Sequence, residues 1–321
     1  MRASRAAEGG ATAVAEEDVV DIAITGASGL IGSSVVPALE AAGHRVRRLV
    51  RGGTSGEGRV AWDPVAGTID VAALDGVEAV VHLAGEGIGE RRWSDAQKAR
   101  ILESRERGPT VLAEAIAGMA NPPRVLVSGS AVGWYGDRGD EVLTEASAAP
   151  ADPDFLARVC VAWEAATAPA EAAGVRTVHL RTGIVLTPRG GALGRLVLPF
   201  KLGLGGRIGS GRQWMSWISI DDEVGAILHA IEQDDLRGPV NATAPAPATN
   251  AELTATLGRV VRRPTLLPTP LAPLRAVYGS ELVTSLLVNG QRVMPAALQA
   301  SRYEFQHADL EAALRAVLAR R

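Results

Sequence analysis

Three glycines at a fixed spacing are the residues of this sequence best suited to hold a phosphate group. They follow a short apolar run, Asp21–Thr25, and precede an amphipathic segment. In a strand-to-helix turn the first glycine permits the bend, the second lets backbone amides approach a pyrophosphate, and the third lets the helix pack closely. The N–H groups at the start of that helix favour an anion. We therefore predict a dinucleotide-binding turn, not a merely structural one, with contacts from Gly26, Ser28, Gly29, Leu30, Ile31 and Gly32.

The residue after the second predicted strand indicates which dinucleotide is bound. Arg51 stands where an Asp or Glu would bond the ribose 2′-hydroxyl of NAD, and an arginine there favours a 2′-phosphate. NADP(H) is therefore the expected cofactor, and NAD(H) is the less favoured one. The alternative is that Arg51 is one of several solvated arginines.

A turn of small residues ends the next strand of the predicted site. Leu83, Ala84 and Gly85 follow Val80-Val-His82, and their small size would let the backbone pass along the adenosine and the inner ribose. We interpret His82 as a packed strand residue and not as a catalyst.

These segments belong to a longer alternation of β-rich runs and helical patterns. Such an alternation is typical of an α/β fold with a doubly wound parallel sheet of the Rossmann kind. The predicted strands are Asp21–Thr25, Arg45–Val50, Ala79–Leu83, Arg124–Ser128 and Arg176–Arg181, and the helices between them are Leu30–Ala42, Ser94–Met119 and Asp154–Ala173.

The pattern changes after Arg181, where we predict a smaller, mainly helical C-terminal lobe. A Gly-rich stretch, Gly190–Gly211, leads to a strand at Trp214–Ile220, a helix at Asp221–Gln233 and a loop at Asn241–Asn250. The helices expected in the lobe are Glu252–Val261, Leu271–Leu287 and Ala308–Leu318. The predicted organisation is a disordered tail over residues 1–20, a Rossmann domain over 21–245 with 190–217 contributing to its cleft, and the helical lobe over 246–321.

Composition narrows the choice of partners. The 321 residues carry a formal net charge of -3 and no long Lys/Arg block, so we expect neither a nucleic-acid nor a membrane partner. Cys160 is the single cysteine, which excludes an intrachain disulfide, gives no support for a metal site and fits the reducing cytoplasm. The expected partner is a small-molecule substrate or effector, and the oligomeric state stays open.

The sequence resembles the extended short-chain dehydrogenase/reductases, which include the sugar-nucleotide epimerases. Besides the glycine turn, the resemblance lies in Ser128-Gly-Ser130 and Trp217-Ile-Ser-Ile-Asp221-Asp222. Further segments resemble the atypical "epimerase family" subgroup, sometimes called cell-division-inhibitor-like: Leu83-Ala-Gly-Glu86, Arg91-Arg-Trp93, Glu103-Ser-Arg105, Arg181-Thr-Gly-Ile-Val-Leu186 and the stretch from Leu202 to Gly211. The resemblance, which runs from about Asp21 to about Leu318, implies an NADP site that includes Arg51, Leu83, Ala84 and Arg105. Ser128 completes the predicted cofactor contacts. From its residue type alone, Arg105 could equally be a surface residue.

The usual catalytic pair of that superfamily is missing. There, a Tyr acts as the general acid/base and a Lys four residues later lowers the pKa of the Tyr. No Tyr-x-x-x-Lys occurs in this chain. Counting back from Glu164 on the helix that should carry the pair, Leu156 and Cys160 stand at the expected positions.

Two residues remain as catalytic candidates. Ser130 occupies the place of the family's substrate-orienting hydroxyl, and Tyr135 follows in a nearby turn, where it could donate a proton beside Arg158. The alternative is that Trp134 and Tyr135 only pack a turn and that Ser130 bonds the local backbone.

Two functions follow from these residues. The first is an NADP(H)-binding oxidoreductase or epimerase-like enzyme that acts on an unknown small molecule. The second is a non-catalytic dinucleotide-binding regulatory protein, with a link to cell division as a further hypothesis. Loss of the Tyr and Lys favours the second function, and retention of the phosphate turn and of Ser130 favours the first.

Overall fold

A computed structural model describes residues 19–319 of the chain, so the predicted tail over residues 1–20 lies almost wholly outside the described residues. The strands are β1 (Asp21–Thr25), β2 (Arg45–Val50), β3 (Arg59–Asp63), β4 (Thr68–Ile69), β5 (Ala79–His82), β6 (Val125–Ala131), β7 (Val142–Leu143), β8 (Arg176–Thr182), β9 (Ile184–Leu186), β10 (Trp214–Met215), β11 (Trp217–Ser219), β12 (Gly238–Ala242), β13 (Ala248–Thr249) and β14 (Arg292–Val293).

The helices alternate with these strands through the first part of the chain and dominate its last part. They are α1 (Gly32–Ala41), α2 (Asp95–Ala117), α3 (Phe155–Ala165), α4 (Ala168–Ala172), α5 (Gly191–Lys201), α6 (Ile220–Glu232), α7 (Asn250–Val261), α8 (Leu271–Tyr278), α9 (Ser280–Val283), α10 (Ala296–Ala300) and α11 (Leu310–Ala319). Among the described residues, no helix is both long and apolar enough to cross a membrane.

The central sheet has eight strands in the order β12-β8-β6-β5-β1-β2-β3-β4 among residues 19–319. Every neighbouring pair is parallel except β3 and β4. The chain builds outward from β1 in one direction through β2 and β3, then restarts beside β1 at β5 and builds the other way. This arrangement confirms the predicted doubly wound Rossmann fold and places its strand-order reversal between β1 and β5.

The two faces of the sheet form two separate cores, because neighbouring side chains in a strand point to opposite faces. Ile22 and Ile24 of β1 belong to one apolar cluster, together with residues of α1 and α6. Ala23, between them, belongs to another cluster, together with Leu112 and Ile116 of α2. Strands covered on both faces are expected of a parallel sheet with helices on each side.

The C-terminal lobe packs on the first of these cores. Leu257 of α7, Leu298 of α10 and Leu314 of α11 belong to the same buried apolar cluster as Ile22 of β1. Asp222 of α6 adds polar contacts, because its carboxylate accepts hydrogen bonds from the backbone N–H groups of Gln306 and His307. The lobe is therefore fixed to the Rossmann sheet by shared apolar packing and by a buried carboxylate.

Several predicted element boundaries were wrong. No helix was predicted in the Gly-rich stretch, which contains α5, and the predicted loop Asn241–Asn250 begins inside β12. The single predicted helix Leu271–Leu287 is broken at Gly279, whose φ of 88° is incompatible with a continuing helix. Strand β3 was not predicted, because Arg59–Asp63 is short and directly follows a segment with glycines at 52, 53, 56 and 58.

Candidate functional site

A cleft of about 990 Å³ opens at the strand-order reversal, where α/β proteins of this topology bind ligands. The end of β1 and the end of β5 form its floor, and α1, β2 and α2 supply its sides. Its lining includes Gly26, Ala27, Ser28, Gly29, Ser33, Arg48, Arg51, Trp62, Leu83, Ala84, Gly85, Glu86, Arg100, Glu103, Ser104, Arg107 and Gly108.

The glycine turn leaves no space for side chains. Gly26 has a φ of 69°, and a Cβ atom there would lie 2.7 Å from the carbonyl carbon of Leu83. A Cβ on Gly32 would lie 2.2 Å from the carbonyl oxygen of Gly26, so the first turn of α1 packs directly on the bend. The turn thus keeps bare backbone at the cleft, as a phosphate-binding turn requires.

Hydrogen bonds of Thr25 and His82 hold the glycine turn against the end of β5. The Thr25 hydroxyl accepts hydrogen bonds from the backbone N–H groups of Leu83 and Ala84, at 3.1 and 3.2 Å. Its own proton is then left for Nδ1 of His82, 2.9 Å away. Burial lowers the pKa of His82 to about 3, with a smaller contribution from Arg105, so the ring is neutral. His82 is fully buried and is confirmed as a packed strand residue.

The cleft brings together most of the predicted cofactor residues but not all of them. Those that line it are Gly26, Ser28, Gly29, Arg51, Leu83, Ala84 and Gly85. Behind it, Leu30 packs against Gly190 and Gly191, Ile31 precedes α1, and Gly32 supports the turn. Ser128 is fully buried in β6, with its hydroxyl 3.4 Å from the carbonyl oxygen of Gly129.

The cleft also holds arginines that the sequence reasoning missed. Arg48 lies on β2 with Arg51 just beyond the end of that strand, and Arg100 and Arg107 come from α2. The guanidinium of Arg48 is paired with Glu40 at 2.8 Å. The seven-residue spacing of Arg100 and Arg107 puts both on one face of a helix, and this periodicity could have revealed them. The outer part of the cleft is therefore suited to an anionic ligand.

Arg105 lies behind the inner wall of the same cleft. Its guanidinium abuts Gly85, where an added Cβ would lie 2.8 Å from Cζ, and it stacks on Trp163 with Cζ 5.0 Å from the ring centre. Burial lowers the pKa of Arg105 to about 10, which leaves it charged at neutral pH. Among the described residues, Arg105 Nε and Trp163 Nε1 are buried without a hydrogen-bond acceptor. Arg105 is thus not the solvated surface residue that its sequence context allowed.

The positions of the missing catalytic pair lie on α3. Cys160 is buried, and its thiol packs near Gly133 in the turn after β6, as does Leu156. Burial raises the pKa of the Cys160 thiol to about 12, and Glu164 adds to that rise. Cys160 is therefore an unionised packing residue at neutral pH.

A buried polar cluster stands beside these positions, at the ends of β6, β8 and β12. Glu164 of α3 accepts a hydrogen bond from the Ser130 hydroxyl at 2.7 Å. Arg181 of β8 binds the same carboxylate through Nε and Nη2, both at 2.8 Å. The Arg181 side chain is only 3 % exposed, and Trp134 covers it with its ring centre 3.5 Å from Cζ.

Tyr135 belongs to this cluster and is fully buried. Its hydroxyl donates to Oδ1 of Asn241 at 2.7 Å and accepts from Nη1 of Arg181 at 3.0 Å. Burial raises the pKa of Tyr135, although Arg181 opposes that rise. The cation beside Tyr135 is therefore Arg181 and not the expected Arg158, whose guanidinium bonds the carbonyl of Pro153.

The Gly-rich segment after α5 holds the C-terminal lobe through its polar atoms. Nε2 of Gln213 donates to the carbonyl oxygens of Ile208 and Leu287, and Asn250 accepts from the backbone N–H of Ile208. Asp221 pairs with His307, and Ser219, not Asp221 or Asp222, caps α6. In the described range 19–319, no group of His, Cys, Asp or Glu side chains has an arrangement that could hold a metal ion.

Fold and site together define a doubly wound α/β protein with an arginine-lined cleft at its strand-order reversal. The chain belongs to the NAD-dependent epimerase/dehydratase family, whose family model matches residues 22–242. A second model, for a domain of unknown function called DUF1731, matches residues 269–317 in the helical lobe. The resemblance to the epimerase family subgroup is thereby confirmed.

Relatives and solved structures agree with this assignment. An epimerase family protein of Mycobacterium bovis is 47 % identical over 295 residues, which cover 91 % of this chain and 96 % of that protein. The Bacillus subtilis epimerase family protein YfhF is 36 % identical over 306 residues, which cover 94 % of this chain and 99 % of that protein. The structure of human epimerase family protein SDR39U1 with NADPH is 35 % identical and has a TM-score of 0.86, covering 94 % of this chain and 100 % of that one.

Proposed function

We propose that this chain binds NADP(H) in the cleft between β1 and β5 and is an oxidoreductase or epimerase-like enzyme of the short-chain dehydrogenase/reductase type. The observation that carries the proposal is the bare-backbone turn at Gly26 beside a cleft lined by Arg51. The human relative of known structure was solved with NADPH, which supports the same cofactor here. The substrate is an unidentified small molecule, and the cytoplasmic location predicted from the single cysteine stays a prediction.

The residues around the cleft fit this cofactor. The turn from Gly26 to Gly29 offers backbone amides for the pyrophosphate, and a side chain at Gly26 would clash with the backbone of Leu83. Arg51, with Arg48 and Arg107 on the same cleft lining, would hold a 2′-phosphate. When bound, the nicotinamide would supply or accept a hydride.

Arg105 takes over the charge of the missing lysine in this proposal. The superfamily's lysine would stand at Cys160, and Arg105 lies close enough to Cys160 for its charge to lower that thiol's pKa. Arg105 lies behind Gly85, so it would act on a bound cofactor through its charge and not through direct contact. Arginine keeps its proton at neutral pH, so Arg105 would supply positive charge beside the cofactor but would not shuttle protons.

Ser130 and Glu164 are the proposed proton carriers at the substrate. Because the Ser130 hydroxyl directs its proton at Glu164, its lone pairs are left to accept a hydrogen bond from a substrate hydroxyl. In the oxidative direction, Ser130 would take the substrate proton and pass its own to Glu164, and the reverse would hold in reduction. Arg181 keeps Glu164 in place for that exchange.

Tyr135 stays in the proposal as a candidate catalytic residue, although its surroundings favour a positioning role. Its hydroxyl is shared between Asn241 and Arg181, so it reaches a substrate only if one of these bonds is released. Two features favour the second function, a regulatory protein that binds the dinucleotide without turnover. They are the engagement of the Tyr135 hydroxyl in these two hydrogen bonds and the absence of Tyr-x-x-x-Lys. A link of that function to cell division is a further hypothesis.

Turnover assays separate the two functions. We would follow NADPH oxidation over a panel of carbonyl compounds with the natural chain and with Ser130→Ala, Glu164→Gln and Tyr135→Phe. The enzyme proposal expects turnover that falls about 100-fold or more in Ser130→Ala, the size of effect expected for a proton-transfer residue, while NADPH affinity is retained. Tight NADPH binding with neither NADPH oxidation on any carbonyl nor epimerisation of any sugar nucleotide would favour the regulatory function.

A further inference from the structure

An apolar surface with a positive rim lies on the side of α5 and the Pro-rich connector before α8. Its leucine side chains are 64 to 88 % exposed, so they make few contacts with the rest of the chain. They are Leu198, Leu202, Leu204, Leu266 and Leu267, which we call the leucine surface. Scattered apolar residues are ordinary on a protein surface, but a contiguous group marks an interaction site.

Contacts of the backbone show that this group is contiguous. Leu198 and Leu202 lie four residues apart at the end of α5, and therefore on one helix face. A Cβ on Gly206 would meet the carbonyl oxygen of Leu267, and Thr269 hydrogen-bonds the carbonyl of Arg207 at 2.8 Å. These contacts hold the Leu266–Leu267 turn against the end of the α5 segment.

The rim of the leucine surface is positive. Lys201, Arg207, Arg262 and Arg263 are exposed around it, and none forms an ion pair with a residue in the described range. Neither residues 172–220 nor residues 253–280 contain an Asp or Glu. Glu311 lies near the end of α7, but its carboxylate is already paired with Arg259 and Arg315. The cations at the rim are therefore free to attract an anionic partner.

We propose that the leucine surface docks on an anionic lipid bilayer. Protruding leucines enter the boundary between headgroups and acyl chains, while arginines and lysines at the rim bind lipid phosphates. A symmetric contact with a second copy of this chain is disfavoured, because it would bring the same positive rim against itself. The expectation of no membrane partner rested on the net charge of the whole chain and on the lack of a long Lys/Arg block in the sequence, and neither property describes a surface formed by separate segments.

The rigid presentation of Leu266 and Leu267 suits insertion. Pro264 and Pro268 flank the pair and limit the backbone freedom of the turn. Arg263 anchors its start, because its Nε donates to the carbonyl oxygen of Lys201 at 2.8 Å. Because the Leu266–Leu267 segment is already restricted before docking, binding would cost it little conformational entropy.

Sedimentation of the full chain with lipid vesicles tests the proposal. We expect the protein to pellet with vesicles of phosphatidylglycerol and phosphatidylcholine, and to stay in the supernatant with phosphatidylcholine alone. The double variant Leu266→Glu/Leu267→Glu should lower the bound fraction about tenfold, because each carboxylate opposes insertion. Lys201→Ala should weaken binding less, and high salt should weaken it in the natural chain.

A charge-matched control is Val71→Glu/Val161→Glu, which adds the same charge at exposed valines away from the leucine surface. It should pellet like the natural chain, and unchanged thermal unfolding would show that both double variants are folded. The proposal is wrong if the natural chain ignores anionic vesicles or if the control loses binding equally. It is also wrong if light scattering finds a dimer that Leu266→Glu/Leu267→Glu dissociates, since a second copy would then cover the surface.

Discussion

Two regions at the carboxyl edge of the central sheet differ in whether their polar groups are left open or are bonded to each other. In the cleft at β1 and β5, the turn at Gly26 and the side chain of Arg51 face open space. In the cluster at β6 and β8, Glu164 and Arg181 bind each other and leave little of either side chain exposed. Both regions lie at carboxyl ends of parallel strands, so topology alone does not explain the difference.

The difference separates the region suited to binding a dinucleotide from the region where the superfamily's catalytic pair is missing. A cleft with unengaged donors is built to receive a ligand, and its binding energy is available only once that ligand arrives. A closed cluster stabilises the fold and holds Ser130 in one orientation, but Tyr135 inside it has no free hydroxyl. The glycine turn thus stays open to the cleft, while the polar groups beside the positions of the missing Tyr and Lys are held in an ion pair.

The largest expected effect comes from breaking that ion pair. Arg181→Leu leaves the largely buried Glu164 carboxylate without its cation, and removal of one partner of a buried pair destabilises a protein by about 3–5 kcal/mol. Urea unfolding followed by circular dichroism measures the change. Arg315→Leu, which removes the partner of Glu311 at the surface, is the control and should leave the unfolding midpoint unchanged. Equal effects of the two variants would contradict a stabilising role for the closed cluster.

The next effect tests the open cleft. Gly26→Ala should lower NADPH affinity about 100-fold, because a methyl group at 2.7 Å from Leu83 forces the turn apart. Gly43→Ala is the matched control: Gly43 also has a positive φ, of 90°, but no atom lies within 4 Å of its added Cβ. Calorimetric titration with NADPH should show a loss of affinity in Gly26→Ala and none in Gly43→Ala. Similar affinities would mean that the turn does not hold the cofactor.

A third prediction concerns the buried carboxyl of Glu223, which, unlike that of Glu164, forms no ion pair with any residue between 19 and 319. Burial raises the pKa of Glu223 from 4.5 to about 8, against a hydrogen bond from Thr182. The unfolded chain releases that proton near pH 4.5, so between these values the folded state binds more protons and its stability falls as pH rises.

Glu223→Gln should remove this dependence while keeping a hydrogen bond to Thr182. Between about pH 6 and pH 8 the natural chain should lose roughly 1–3 kcal/mol relative to the variant. Unfolding free energies at the two pH values measure the difference. A constant difference between the two proteins would show that Glu223 does not titrate in this window.

The last prediction tests whether Tyr135 is a positioning residue or a catalytic one. Tyr135→Phe removes one hydroxyl and leaves Asn241 and Arg181 each short of one hydrogen bond, which should destabilise the fold by about 1–3 kcal/mol. Asn241→Ala, which removes the acceptor of that hydroxyl, should produce a loss of similar size. If Tyr135→Phe abolished turnover and left stability unchanged, Tyr135 would be a catalytic residue and not a positioning one.

The open region was the more predictable of the two from sequence. Gly26, Gly29 and Gly32 act within one turn, and Arg51 directly follows a strand, so their roles can be inferred from local spacing. The closed cluster depends on contacts between distant segments. Arg181 and Glu164 are 17 residues apart on a strand and a helix, and nothing local marks them as partners.

The wrong expectations have related causes. Arg158 was expected near Tyr135 because it lies on the helix that carries the superfamily's catalytic pair, but its side chain turns to Pro153. No helix was predicted in the Gly-rich stretch, whereas α5 forms there and packs Leu193 and Phe200 into the core. Tertiary packing decided both cases over local sequence signals.

Calorimetric titration of the purified full chain with NADPH and with NADH tests most directly the central claim that the cleft binds NADP(H). We expect NADPH to bind at least about tenfold more tightly, because a guanidinium bound to a phosphate contributes roughly 1.5–3 kcal/mol. Arg51→Ala should remove that preference, whereas Arg59→Ala, at the opposite end of the neighbouring strand, should keep it. Failure of both dinucleotides to bind, or a preference for NADPH that survives in Arg51→Ala, would contradict the proposed site.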